Sequence, residues 1–192
     1  PVNDAPVITQ GNGPLSYSLN EDSNLTFELN ATDLEGDTLT WSIGSDPSNG
    51  TVTVAAGTGM VTYVPTADFE GNDSLSLTVS DATLSDSVVV NLTVNGVNDA
   101  PTSISNLSAL SFSENLALAS SIGTFSATDS DMGDLITFSL FDNDQSTDSH
   151  LFSIDSNGTL RTAVLFDFES NASTYQIRVR ATDSSYSSLD SL

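Results

Sequence analysis

Four acid-x-acid triplets stand out as residues whose types and spacing could do chemistry: Asp33-Leu34-Glu35, Asp68-Phe69-Glu70, Asp129-Ser130-Asp131 and Asp167-Phe168-Glu169. In an extended segment, residues i and i+2 point to one face, so each triplet sets two carboxylates side by side. Like charges so placed oppose folding unless a cation joins them or water surrounds them. Calcium meets that demand, since it takes six to eight oxygens at about 2.3–2.6 Å and tolerates irregular geometry, whereas magnesium more often keeps its waters.

The triplets belong to a longer repeat. Ala31-Thr32-Asp33-Leu34-Glu35-Gly36-Asp37 matches Ala127-Thr128-Asp129-Ser130-Asp131-Met132-Gly133-Asp134 with one residue inserted. Val79-Ser80-Asp81 matches Ala181-Thr182-Asp183, and Glu21-Asp22 stands where Glu114-Asn115 stands. Val2-Asn3-Asp4-Ala5-Pro6 returns unchanged as Val97-Asn98-Asp99-Ala100-Pro101, 95 residues on. A 192-residue chain with that period reads as two domains, 1–97 and 98–192, joined by a short, stiff passage over 95–101, since proline fixes its own backbone and biases the residue before it towards extended geometry. Pro1 opens directly on the first repeat without a signal-peptide pattern, so the expectation is a piece of a larger protein.

Composition narrows the function classes. Twenty-six acids face three arginines and no lysine, for a formal net charge of −23. Nothing offsets phosphate repulsion, which excludes nucleic acid and disfavours an anionic membrane surface. No apolar run reaches the roughly 20 residues of a membrane-spanning helix, so direct membrane insertion is not expected. Without cysteine there are neither disulfides nor thiolate metal sites, and any metal must be a hard one bound by oxygen.

The elements that would hold the acids read as strands: short alternating stretches rich in Val, Thr, Leu and Phe between clusters of Gly, Asn and Asp. In the first half they fall at 6–9, 25–31, 39–43, 51–54, 60–64, 74–79 and 87–94, and in the second at 109–113, 122–127, 136–140, 152–154, 159–162 and 175–181. A seventh strand in the second half must be short, because nine residues follow Asp183 where the first half runs fourteen residues beyond Asp81 to Asn95. The expected fold is all-β, two tandem seven-stranded Greek-key sandwiches of immunoglobulin-like type.

The second half resembles a cadherin repeat: Ser113-Glu114-Asn115, then Ala127-Thr128-Asp129-Ser130-Asp131, Phe152-Ser153-Ile154-Asp155 leading to Gly158-Thr159-Leu160, Leu165-Phe166-Asp167-Phe168-Glu169 where the family usually writes Leu-Asp-Arg-Glu, and a penultimate strand ending in Ala181-Thr182-Asp183. The first half resembles the cadherin-like repeats of large bacterial surface and secreted proteins, whose usual boundary is Val-Asn-Asp-Ala-Pro. The resemblance implies calcium between consecutive repeats. Carried over residue by residue, Glu21, Asp68 and Glu70 would come from the first repeat, Asn98 and Asp99 from the linker, and Asp129, Asp131 and Asp183 from the second. Half-sites would remain at the two ends, Asp4 with Asp33, Glu35 and Asp81, and Glu114 with Asp167 and Glu169. The family's first linker acid falls near neutral Asn95, which implies fewer ions than in the animal proteins.

Other polar residues have plainer readings. Asp22, Asp37 and Asp134 fit ordinary turn chemistry, and Asp142, Asp144 and Asp148 a solvated loop. His150, the single histidine, cannot complete a zinc site, and Trp41, aligned with Phe138, belongs in a core. Arg178 and Arg180 alternate on one strand and are expected to pair with acids on a neighbouring strand. Eight Asn-x-Ser/Thr triplets among 15 asparagines are a weak glycosylation signal, since chance alone gives about half that number. Carboxylate pairs could run glycoside hydrolysis, but an active site duplicated at every module boundary is implausible and no nucleophile elbow occurs, so an enzyme is rejected. What remains is an extracellular or cell-surface module that binds Ca2+ and serves adhesion or extension, with neighbouring repeats of the same chain as partners and self-association as a further option. The alternative is a module recognising polysaccharide or protein beside a secreted bacterial enzyme.

Overall fold

The computed structural model describes residues 2–11, 13–105, 110–141, 147–167, 169, 172–183 and 187–191, the last five by backbone alone. The chain divides into two compact units, Pro1–Val97 and Asn98–Leu192.

Unit 1 consists of β1 (Val7–Ile8), β2 (Leu15–Asn20), β3 (Leu25–Glu28), β4 (Ala31–Thr32), β5 (Thr40–Ser45), β6 (Gly50–Val54), β7 (Met60–Pro65), β8 (Gly71–Ser80) and β9 (Ser85–Asn95). A four-stranded sheet in the order β2-β9-β8-β5 and a three-stranded sheet β3-β7-β6 are accompanied by a separate two-stranded β1-β4 ladder. Strict alternation along β8 and β9 turns Leu75, Leu77, Val79, Val88, Val90, Leu92 and Val94 inward, where Trp41, Val52, Val61 and Tyr63 complete one core. The nine segments amount to seven strand positions because two of them are interrupted. β1 pairs with β4, and after a turn at Gly11, whose φ of 98° suits glycine, the chain crosses to the other sheet as β2, parallel to β9. The stretch expected at 25–31 breaks into β3 and β4 where fully buried Leu29 donates its N–H to the Gly59 carbonyl at 3.0 Å.

Unit 2 repeats the plan in shorter strands: β10 (Ser103–Ser105), β11 (Ser121–Thr124), β12 (Ser126–Thr128), β13 (Thr137–Leu140), β14 (Phe152–Ile154), β15 (Thr159–Thr162), β16 (Arg178–Thr182) and β17 (Ser187–Ser191). They form the sheets β10-β12, β11-β15-β14 and β13-β16-β17. Its core is aromatic where unit 1 is mostly aliphatic: Phe166 lies 5.0 Å from Phe112, 5.1 Å from Tyr175 and 5.4 Å from Phe152, ring centre to ring centre. The strand expected at 109–113 is not one over 110–113, and residue 109 lies outside the described residues, as do Asp142 and Asp144. The final strand has five residues against eleven in β9 and is laddered on β16 along its whole length. Among the described residues, Arg178 and Arg180 form no ion pair with an acid on a neighbouring strand, and the side chain of Asp190 on β17 lies outside them. Both arginines stack over the Phe141 ring, with the Arg180 guanidinium carbon 3.7 Å from its centre, while Arg161 pairs with Asp155 at 2.8 Å.

Of the 26 acids, only Glu28, Asp73, Asp86 and Asp190 lie within described strands. Asp73 is the buried one, and it organises the turn between β5 and β6. Its carboxylate accepts the N–H groups of Ser48 (2.9 Å), Asn49 (2.9 Å) and Ser74 (2.8 Å) and the Tyr63 hydroxyl (3.0 Å). Burial works to raise its pKa, but these donors outweigh it and hold the carboxyl below the usual range. Burial and the nearby Asp73 charge in turn push the Tyr63 hydroxyl well above its ordinary value. A carboxylate whose pKa is lowered by folding adds stability that is complete above its unfolded value of about 3.9 and is lost as pH falls through the folded one. Asp73→Ala should therefore destabilise the chain by about 2–4 kcal/mol near neutral pH, because it strands buried donors, and the difference should shrink below about pH 3. Urea unfolding followed by Trp41 fluorescence measures both, and a variant as stable as the parent at pH 7 would contradict the role given to Asp73.

Candidate functional site

The acids gather at the ends of each sandwich because they stand where strands stop: Glu21 follows β2, Asp33 follows β4, Asp81 follows β8, Asp129 follows β12, Asp183 follows β16, and Glu70 precedes β8. Strand ends leave backbone N–H groups outside the ladder, and short acidic side chains accept them.

At the N-terminal end of unit 1, the Asn3 carboxamide donates to Asp81 Oδ2 at 2.8 Å, and the Asp4 N–H donates to Glu35 Oε2 at 3.3 Å. Asp33 Oδ1 accepts the N–H groups of both Glu35 and Asp37 at 3.0 Å. Asp81 is buried, and its Oδ1 accepts the N–H groups of Thr83 and Leu84 at 2.7 Å each. The Leu84 N–H, the Asn3 carboxamide and the Thr83 N–H, in that order, hold its pKa below the usual carboxylate range.

Unit 2 builds the same end from its own residues. The Asn98 carboxamide donates to Asp183 Oδ2 at 2.9 Å, the Asp99 N–H to Asp131 Oδ2 at 2.6 Å, and the Asp131 N–H to Asp129 Oδ1 at 3.1 Å. Ser130 adds a hydroxyl bond to Asp99 Oδ2 at 3.2 Å. The correspondence runs position by position: Asn3 with Asn98, Asp4 with Asp99, Asp33 with Asp129, Glu35 with Asp131 and Asp81 with Asp183.

Both ends share one unsettled feature. Asp33 Oδ2 and Asp129 Oδ2 are cut off from water and accept no hydrogen bond, and Asp134 Oδ2 is in the same state. A bare buried carboxylate oxygen is costly. Burial, followed by the charges of Asp131, Asp183 and Asp129, raises the Asp134 pKa. The donor set is oxygen throughout, which suits a hard cation of the calcium type, and the bare oxygens are where a cation would relieve the cost.

The C-terminal ends carry a second set. In unit 1, buried Glu21 accepts the Val97 N–H at 2.7 Å and donates its own N–H to the Asn95 carbonyl at 2.9 Å. The Glu70 carboxylate also lies against Gly96, so close that a Cβ there would stand 2.6 Å from Oε2. Asp22 and Asp68 both adopt positive φ of 57°, and their carboxylate oxygens approach within 4.8 Å. Asn95, neutral where the family pattern has an acid, donates its carboxamide to the Leu19 carbonyl at 3.0 Å and so ties β9 to β2. In unit 2, Glu114, Asp167 and Glu169 are exposed, and each places a carboxylate oxygen within 4.8 Å of the other two. The Glu169 N–H donates to Asp167 Oδ1 at 3.2 Å.

Within unit 1 the structure thus brings together Asp4, Asp33, Glu35 and Asp81 at one end and Glu21 with Glu70, beside Asp68, at the other. Within unit 2 it gathers Asn98, Asp99, Asp129, Asp131 and Asp183, and separately Glu114, Asp167 and Glu169. Sequence reasoning passed over Asn3, although the repeated Asn-Asp-Ala-Pro motif marks it as the counterpart of Asn98. It also set Asp134 aside as turn chemistry, and the buried oxygen could not be foreseen from a Gly-Asp pair.

Residues 3–96 match the bacterial cadherin-like domain, and residues 108–191 match the cadherin domain. A curated relative, cadherin-related family member 1 of Mus musculus, is 34% identical over 182 residues, which cover 87% of this chain. The chain spans 20% of that relative's length. Among solved structures, human protocadherin-24 EC1-2 is similar with a TM-score of 0.64 and 24% identity, covering 100% of this chain and 94% of that one. Drosophila N-cadherin EC1-4 gives 0.66 and 22%, over 98% of this chain and 48% of its own. Both likenesses are likenesses of fold.

The electrostatics carry a direct test in metal-free protein. Asp134, with its pKa raised, favours the folded state below the unfolded value of about 3.9, and that contribution is lost as pH rises through the folded one. Carbon-detected NMR titration should find the Asp134 carboxyl midpoint above the ordinary aspartate range and that of Asp81 below it. The reverse order would contradict the hydrogen bonding described.

Proposed function

Since the chain belongs to the cadherin family, as a bacterial cadherin-like repeat followed by a cadherin repeat, we propose that it is a calcium-stiffened segment of an extracellular adhesion-type protein. Cadherin repeats are non-enzymatic adhesion modules of extracellular regions, and no helix among the described residues is long and apolar enough to cross a membrane. The observation that carries the reading is the duplicated end. Two halves of different sequence build the same Asn-to-Asp and Asp-to-acid hydrogen bonds around a buried carboxylate oxygen that has no partner. A scaffold of that kind orients acids for something other than protein.

In this reading Glu21, Asp68 and Glu70 supply oxygens from unit 1 and Asn98, Asp99, Asp129, Asp131 and Asp183 from unit 2. Val97 is bonded to Glu21 within unit 1, and the next residue, Asn98, to Asp183 within unit 2. Asn98 holds Asp183 in place, the Asp99 N–H holds Asp131, and the Asp131 N–H turns Asp129 so that its second oxygen is left for the metal. Bound calcium would supply the positive charge that removes repulsion among these acids and would cross-link the repeats. Asp4, Asp33, Glu35 and Asp81 at one extremity, and Glu114, Asp167 and Glu169 at the other, would be completed by neighbouring repeats of a longer array. Extracellular modules bind calcium at about 0.1–1 mM, so the segment would be stiff outside a cell and loose within one.

Calorimetric titration of the intact pair with calcium tests this. Uptake is expected in the range of about 0.1–1 mM, with affinity weakened at least tenfold in Asp129→Asn/Asp131→Asn. Equal uptake by parent and variant would remove these residues from the site.

A further inference from the structure

The acids that crowd the loops leave one broad surface untouched. Along β2, β8 and β9 of unit 1, the outward positions are Ser, Thr or Asn throughout, apart from Val89. In a chain of net charge −23 these outward positions carry no carboxylate and no base, and the one acid that reaches the groove described next, Asp73, comes from the inward side of β8. The side chains stand in rows across the strands: Ser16, Asn91 and Ser74 in one, Ser18, Thr93 and Asn72 in the next. Where these rows meet residues 48 and 49 of the β5–β6 turn, a groove of about 520 Å³ opens, lined by Ser16, Ser48, Asn49, Asn72, Asn91 and Thr93 among others. That volume lies within the range of small-ligand sites.

The groove is held in shape from below. Asp73, buried, lines it and accepts the N–H groups of Ser48 and Asn49, one on each carboxylate oxygen. The backbone of the turn is thereby fixed, while the side chains of Ser16, Ser48, Asn49, Ser74 and Asn91 form no hydrogen bond with other described residues. Each of these offers both a donor and an acceptor. A fixed array of uncharged donor–acceptor groups complements polyhydroxyl compounds. Neighbouring columns stand about 4.8 Å apart, comparable to the length of a pyranose unit.

We propose that this groove is a binding site for neutral saccharide, independent of the calcium reading. Charge fixes the class: an acidic glycan approaching a surface bordered by this many carboxylates is repelled, whereas a neutral one is not. With no aromatic side chain in the lining, each site binds weakly through hydrogen bonds alone, and useful avidity would come from repetition along an array.

Saturation-transfer NMR on the intact pair, with cellohexaose and mannohexaose as neutral probes and hexagalacturonate as the acidic one, tests the site. Transfer is expected to at least one neutral probe and not to the acidic one. It should be unchanged in EDTA, because no groove residue is a calcium candidate. Asn49→Ala/Asn91→Ala should weaken binding about tenfold, the loss of one or two hydrogen bonds, at an unaltered unfolding midpoint. Ser16→Glu, which adds charge without opening the core, should do the same. Absence of transfer to both neutral probes, equal binding by the variants, or loss of binding in EDTA while Trp41 fluorescence still reports a folded unit 1 would each overturn the proposal. The calorimetric test of calcium would be untouched by any of them.

Discussion

The architecture depends on a division of labour within single carboxylates at the strand ends. One oxygen of Asp33 or Asp129 accepts a backbone N–H from two or more residues further along its own loop, and that bond both closes the loop and fixes the side chain. The other oxygen is then buried without a partner. A protein interior tolerates such an atom poorly, so the arrangement is either a standing cost or half of a metal site. Its recurrence in two repeats that differ at most other positions favours the second.

The sandwich serves this arrangement by keeping acids out of its faces. Unit 1 can do so comfortably, because long β8 and β9 bury a continuous aliphatic core and need no help from charged residues. Unit 2 has shorter strands and compensates with clustered rings, Phe112, Phe152, Phe166 and Tyr175 meeting edge to face or stacked. Glycine marks the same junction in both. At Gly59 and Gly158, both with positive φ, a Cβ would run into the carbonyl of Leu29 or of Phe125, so the turn before β7 and its counterpart before β15 can close only without a side chain.

Much of the fold was legible because alternation is a direct consequence of one buried face, and β5 to β9 and β13 to β16 follow it. β2 escaped notice although Leu15, Tyr17 and Leu19 alternate with Ser16, Ser18 and Asn20, because serine and asparagine are also turn formers and follow Gly13-Pro14. β10 was missed for a similar reason, having one buried residue, Ile104, between two serines. Which acids recur in both halves was legible from the repeat itself, whereas their division into sites was only what the cadherin resemblance implied. What could not be read was which oxygen each backbone N–H takes, and therefore that Asp134 is left bare and that Arg178 and Arg180 lean on Phe141. Those outcomes depend on atomic positions that a spacing does not encode.

The most direct measurement is a crystal structure of the pair grown in several millimolar calcium, with anomalous scattering recorded to locate the ions. The account predicts metal peaks in contact with Asp129 Oδ2 and with oxygens of Asp131 and Asp183. A well-ordered structure in which those side chains are turned towards solvent and no ion lies near them would contradict it.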